Sequence, residues 1–335
     1  MTTSEADQYV RGIREENRGL LARAITLVES ALPAHQALAR RIVDGILPYT
    51  GNAVRLGITG VPGVGKSTFI ESFGMMLVEA GHRVAVLAID PSSSRSGGSV
   101  MADKTRMERL SVEPSAYIRP SPSGRTLGGV ARKTRETMLL CEGAGFDVVI
   151  VETVGVGQSE TAVASMTDFF LVLMLAGAGD ELQGIKKGVL EMADAIAINK
   201  ADGVNLEPAE KARKQYETAL HFVLPASPLW TPPVLTVSAR ELTGIDEIWE
   251  TVKRHRETLQ KAGELTEKRR RQALDWMWTL VEDGLRERFH GHPAIREALP
   301  KMTREVERGA TAATVAANRL LELLDTPSGG GESGA

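Results

Sequence analysis

The chain has 335 residues, of which 42% are hydrophobic and 25% charged, the balance of a water-soluble globular protein. A formal net charge of −3 gives no overall attraction to nucleic acid or anionic membranes, and the one cysteine, Cys141, excludes an intrachain disulfide and fits a reducing compartment. The opening MTTSEADQYVRGIREENRG lacks a signal peptide's apolar core and is too acidic for a transit peptide, and no apolar run reaches membrane-span length, so a cytoplasmic protein is expected, with no nucleic-acid and no membrane partner.

Residues 1–50 read as an N-terminal helical extension. Ile13, Leu20, Leu21, Ala24, Ile25, Val28 and Leu32 recur at three- and four-residue steps on one helix face, which Pro33 interrupts. A second helix carries Leu38, Ile42, Val43, Ile46 and Leu47 and stops near Pro48. From 51 to 244 the texture changes. Short apolar runs at 54–60, 84–90, 116–120, 146–153, 169–175, 195–200 and 233–239 alternate with helix-like stretches. Such runs suit strands covered on both faces, so the spacing predicts an α/β domain with a mostly parallel, doubly wound sheet. Helices are expected at 245–262, 264–290 and 294–324, forming a C-terminal arm over 245–325, before a disordered Gly/Ser-rich tail at 326–335.

The run GITGVPGVGKST (57–68) contains Gly60-Val61-Pro62-Gly63-Val64-Gly65-Lys66-Ser67, the spacing of a phosphate-binding loop between a strand and a helix. Its glycines allow close backbone approach, successive N–H groups can face an anion, and the next helix adds its positive end. Lys66 is expected to reach the β- and γ-phosphates and the Ser67 hydroxyl to coordinate Mg2+, which makes the domain a P-loop NTPase. In FDVVIVETVGVGQSE a strand ends on Glu152, an acid placed to hold the cation, and Gly155 follows with an N–H for the γ-phosphate. Asp90 ends a neighbouring strand and can approach the same cation. Asp103 follows the loop SSSRSGGSVMADKTRM and is either a further ligand or a helix N-cap.

AIAINKAD ends another strand with Asn199-Lys200-Ala201-Asp202. A carboxylate at 202 accepts from guanine N1–H and its exocyclic amine, whereas adenine would leave it buried and unpaired. The Lys200 stem can cover the base, and Ser238-Ala239-Arg240 resembles the loop whose backbone amide meets guanine O6. GTP and GDP are therefore the expected ligands. In the arm, Leu274, Trp278, Val281, Leu285 and Phe289 form one stripe, widened by Trp276, Met277 and Leu280. That breadth implies contact on a second side, which predicts a homodimer; packing back on the chain's own α/β domain is the alternative.

The phosphate loop, AIDPSSSRSGGSVMADKTRM, IRPSPSGRTLGGVARKTRETMLLCEGAGFDVVIVETVGVGQSE, GAGDELQGIKKG and NKAD together resemble the MeaB/ArgK family of GTPases, which includes the human methylmalonic aciduria type A protein. The resemblance spans about 10–290 and is densest between 54 and 202. It implies a GTP-hydrolysing chaperone of adenosylcobalamin-dependent methylmalonyl-CoA mutase, or of a related acyl-CoA mutase, that gates cofactor delivery and protects or reactivates the mutase. By position it implies phosphate and metal binding by Lys66, Ser67 and Thr68, acids around Mg2+ at Asp90, Asp103 and Glu152, and guanine reading by Asn199, Lys200 and Asp202. It also implies a mobile element at Gly177–Lys187, in which Gln183, Lys186 and Lys187 stabilise phosphoryl charge or else begin a solvated helix. Helical ends and dimerisation belong to the same family pattern.

Three other readings share the core. A nickel metallochaperone would need soft ligands beyond His290-Gly291-His292. A kinase would need a base and an acceptor pocket that the residues do not reveal. A binding module would hold GTP without turning it over alone.

Overall fold

The computed structural model describes residues 4–89, 107–120, 127–153, 159–177, 187–222 and 227–325. Their strands are β1 (Val54–Gly60), β2 (Val84–Ile89), β3 (Ala116–Pro120), β4 (Val148–Thr153), β5 (Phe169–Leu175), β6 (Ala195–Asn199) and β7 (Val234–Thr236). They form one sheet in the order β3-β2-β4-β1-β5-β6-β7, parallel throughout. Every residue of β4 is buried, as the continuous apolar run requires of a strand covered on both faces.

Three helices precede the sheet: α1 (Glu5–Arg14), α2 (Arg18–Glu29) and α3 (Pro33–Ile46). The single helix expected across 13–32 is in fact broken. Glu16 turns through φ 61°, and Asn17 restarts the chain by accepting from the Leu20 N–H at 3.0 Å. The apolar face continues across the break, so periodicity alone hides it. Ile13, Leu21, Ile25, Ile42 and Ile46 are buried in the same core as one face of the sheet. Arg18 donates to the carbonyls of Pro114 and Ala116, and Arg119 Nε pairs with Glu29 Oε1 at 3.0 Å, so α2 covers the edge strand β3.

The later helices are α4 (Lys66–Glu79), α5 (Glu108–Val112), α6 (Leu127–Gly143), α7 (Ser159–Ala164), α8 (Lys187–Glu191), α9 (Leu206–Leu220), α10 (Ile245–Lys261), α11 (Glu264–Gly291), α12 (Pro293–Glu307) and α13 (Ala313–Asp325). Helices α1–α3, α6, α7 and α9 bury one face of the sheet, and α4, α5 and α10 the other. The chain forms two compact units, 1–269 and 270–335. In the second unit α12 and α13 pack together around Ile295 and Ala316. The one helix expected at 294–324 is two, separated at Gly309, whose φ of 69° no helical residue adopts. Along α11, Leu274, Met277, Trp278, Val281 and Leu285 are exposed, Trp278 by 60%.

At the amino ends of the strands lies a buried ion cluster. Arg269 Nε and Nη2 hold the two Asp168 oxygens at 2.7 and 2.6 Å, and the same guanidinium donates to the Gly51 and Ala53 carbonyls. Asp168 Oδ2 also accepts from the Arg55 N–H at 3.0 Å, and Arg55 Nε meets Glu142 at 2.5 Å. Arg269 thus joins the roots of β1 and β5. Burial pushes the Asp168 carboxyl up, but hydrogen bonds and charge from Arg269, with Arg55, outweigh it and hold the pKa below the usual carboxylate value.

Such a lowered pKa adds stability that is whole above pH ~4 and is lost as pH falls through the folded-state value. Arg269→Met leaves the Asp168 charge buried without its main partner, so unfolding free energy at pH 7 should drop by about 3–5 kcal/mol. Because the stranded carboxyl now titrates higher, the deficit should shrink as pH approaches 4. Urea midpoints for both proteins across pH 4–7 check this; a deficit that does not vary with pH would refute it.

Candidate nucleotide site

Parallel strands bring β1, β4, β5 and β6 to one edge of the sheet, where the loops beyond them meet. The phosphate loop leaves β1 at Gly60. A Cβ there would sit 2.5 Å from the Leu173 carbonyl oxygen, so only glycine fits. Gly65, at φ 94°, is the N-cap of α4, and a Cβ would come within 3.0 Å of Asn199 Nδ2. Val64 is fully buried and fixes the loop to the core. Lys66 starts α4 and is itself buried. Its Nζ donates to the carbonyls of Gly60 at 2.8 Å and Val61 at 3.2 Å. Here the ammonium lies against the loop it would leave to reach phosphate. Ser67 follows, its Oγ donating to Glu152 Oε1 at 3.3 Å. Glu152 is 9% exposed, at the tip of β4. A hydroxyl and a carboxylate side by side are the hard oxygen donors that Mg2+ prefers.

A cavity of ≈ 220 Å³ opens beside this loop, bounded by Gly65, Thr68, Lys200, Asp202, Asn205 and Arg240. It is smaller than a pocket for a whole drug-sized ligand, about 300–1,000 Å³, and suits a base with its phosphates outside. Asn199 is 2% exposed and spans two loops: its Nδ2 donates to Val64 O at 2.9 Å, and its Oδ1 accepts from the Ala239 N–H at 3.4 Å. Lys200 Nζ crosses to the Gly63 carbonyl at 2.8 Å, and its backbone turns through φ 61° as β6 ends. Ser238 is fully buried. Its Oγ accepts from the Glu241 N–H at 3.1 Å and donates its one proton to Asp202 Oδ2, 2.5 Å away, since an ionised carboxylate only accepts. That bond fixes the plane of the Asp202 carboxylate. Ser72 on α4 donates to Ala239 O at 2.7 Å, tying the base loop to the phosphate-loop helix.

The structure thus gathers Gly60–Thr68, Glu152, Asn199, Lys200, Asp202 and Ser238–Arg240. Asp90, Asp103, Gly155, Gln183 and Lys186 lie outside the described residues. Among the described residues, no group of three His, Cys, Asp or Glu side chains forms a metal cage. Sequence reasoning missed Asn205, which lines the cavity three residues beyond Asp202. Its only signal was its place in the turn after the motif. Asn199 also lines the cavity, with each end of its amide hydrogen-bonded to a backbone group of a neighbouring loop.

The family model described as methylmalonyl Co-A mutase-associated GTPase MeaB matches residues 21–294. The GTPase ArgK of Escherichia coli is 53% identical over 276 residues, covering 82% of this chain and 83% of that protein. The mouse protein named methylmalonic aciduria type A homolog, mitochondrial, is 46% identical over 328 residues, 95% of this chain and 79% of the other. A crystal structure of a LAO/AO transport system kinase superposes with a TM-score of 0.78 at 41% identity, covering 97% of this chain and 99% of that one. The chain therefore belongs to the MeaB family and is a guanine-nucleotide-binding P-loop GTPase.

Replacing Asp202 by Asn puts a donor where guanine also donates. GTP affinity should fall by roughly 10⁴-fold, and xanthosine triphosphate, with a carbonyl at that edge, should recover most of it. Titration with fluorescent analogues of both nucleotides checks the assignment, which unchanged GTP affinity would reject.

Proposed function

We propose that this MeaB-family GTPase is a nucleotide-gated chaperone of adenosylcobalamin-dependent methylmalonyl-CoA mutase, or of a related acyl-CoA mutase. It gates delivery of the cobalamin cofactor and protects or reactivates the mutase. What carries the reading is a guanine-sized cavity built onto a phosphate loop, in a chain whose family is described as mutase-associated. The name of the mouse relative points the same way. A cytoplasmic location is part of this proposal. Among the described residues, no helix is long and apolar enough to cross a membrane.

In this reading Lys66 moves from the Gly60 and Val61 carbonyls onto the β- and γ-phosphates, and Gly155 adds its N–H to the γ-phosphate. Ser67 and Glu152 hold Mg2+, with Asp90 and Asp103 as further ligands. Bound Mg2+ supplies neutralisation of phosphate charge; the chain's residues do the positioning. Asp202 orients the base, held flat by Ser238, while Lys200 covers it. The segment 177–187 brings Gln183 and Lys186 to the γ-phosphate when the partner orders it. Gly177, where the segment begins, has φ 81°, a backbone conformation that favours glycine. A preorganised cation there is worth about 3 kcal/mol.

The exposed α11 stripe of Leu274, Met277, Trp278, Val281 and Leu285 is the contact surface of the proposed homodimer, formed by the arm over 245–325.

Two measurements test these statements. Lys186→Ala should cut mutase-stimulated GTP turnover about 100-fold while changing basal turnover little; equal losses in both rates would sink the relay. Trp278→Glu with Val281→Glu should convert a dimer into a GTP-binding monomer in light scattering. A wild-type protein already monomeric at micromolar concentration would remove the dimer from the proposal.

A further inference from the structure

β1 and β4 pair as far as Ile58↔Glu152. One residue further on, each strand is still paired on its other side, Thr59 with Val172 of β5 and Thr153 with Ile89 of β2. β1 runs into the phosphate loop and α4 on one face of the sheet, and the chain beyond β4 returns as α7 on the other. At that level the connection between them is made by side chains: Thr59 Oγ1 and Thr153 Oγ1 lie 2.7 Å apart, 2% and 0% exposed. Side chains alternate along a strand, so Thr153 shares its face with Val149 and Val151, while Glu152 points the other way with Val148 and Ile150. The hydroxyl pair therefore lies behind the site. Neither residue lines the cavity.

Its neighbours on the chain are what make it matter. Thr59 immediately precedes Gly60, whose carbonyl receives Lys66 Nζ. Thr153 immediately follows Glu152, whose carboxylate meets Ser67 Oγ across the same gap at 3.3 Å. Valine would fill either position with the same shape and a better match to the surrounding core. The chain instead buries two hydroxyls joined by one hydrogen bond, a contact with direction and length where apolar contact would have neither. We propose that the Thr59–Thr153 bridge is a positioning element for GTP hydrolysis, setting the distance between the phosphate loop and the Glu152 carboxylate where the backbone pairing of β1 with β4 has ended. The inference rests on the reading of Glu152 as the acid beside Mg2+.

Valine substitutions separate positioning from mere stability. Thr59→Val or Thr153→Val strands one buried hydroxyl and should lower the melting temperature. The double variant removes both polar groups and should recover most of that loss. Hydrolysis should not recover. In all three variants kcat should stay about tenfold down, the scale expected for a small misplacement, with KM for GTP unchanged and the Mg2+ concentration for half-maximal rate raised. Thr153→Ser keeps the bond and should keep the rate. A double valine variant with wild-type kcat and Mg2+ requirement overturns the proposal, as does a Thr153→Ser variant as slow as Thr153→Val. Should the valine variants fail to fold, Thr153→Ala carries the test, and wild-type kcat in it is equally fatal. Glu152→Gln, measured in parallel, isolates the underlying assignment. An unchanged Mg2+ requirement there would show that the acid is not beside the cation, a different failure from a dispensable bridge.

Discussion

Parallel pairing sends the carboxyl end of every strand to the same edge, and the nucleotide site is a consequence of that single constraint. Residues far apart in the chain meet there because each lies at, or a few residues beyond, the carboxyl end of a strand. Asn199 shows the result most plainly. Placed at the tip of β6, it reaches the phosphate loop with one end of its amide and the loop beyond β7 with the other. The base pocket and the phosphate cradle are thereby one object, and a shift in either is felt in the other.

The opposite edge has complementary chemistry. The amino ends of β1 and β5 are held by charges that close on one another, Arg269 with Asp168 and Arg55 with Glu142. Buried ion pairs of this kind are costly to split and add specificity of placement more than raw stability. Here they fix the starting points of the strands whose far ends carry the phosphate loop and lead to Gly177. One edge is thus occupied internally, and the other has donors and acceptors to offer a ligand.

The strands were legible from sequence because strands buried on both faces are written as unbroken apolar runs. β1, β3 and β5 begin and end where those runs do. The expected strand at 233–239 shrinks to Val234–Thr236 because Ser238 leaves the sheet to pair with Thr243 in an antiparallel bridge. Helix ends were harder to see. The turn at Glu16 keeps the apolar face in phase, and the split at Gly309 interrupts a run that remains amphipathic on both sides. Within the site, the motifs gave residue types and order but not hydrogen-bond partners. That Ser238 is the residue that donates to Asp202 is seen only in the folded arrangement. Thr59 and Thr153 look like any β-branched strand residues until the register sets them side by side.

The helix laid along β3 has a consequence of its own. An open sheet has two edge strands, and a bare edge invites another chain to add itself. One edge here is β7, only three residues long and a poor template. The other, β3, is longer, and α2 spends Arg18 on its flanking carbonyls and Glu29 on its Arg119. Side chains from both ends of α2 therefore occupy part of that edge, and a shortened chain beginning at the phosphate-loop strand would present it bare, with its nucleotide-binding residues intact.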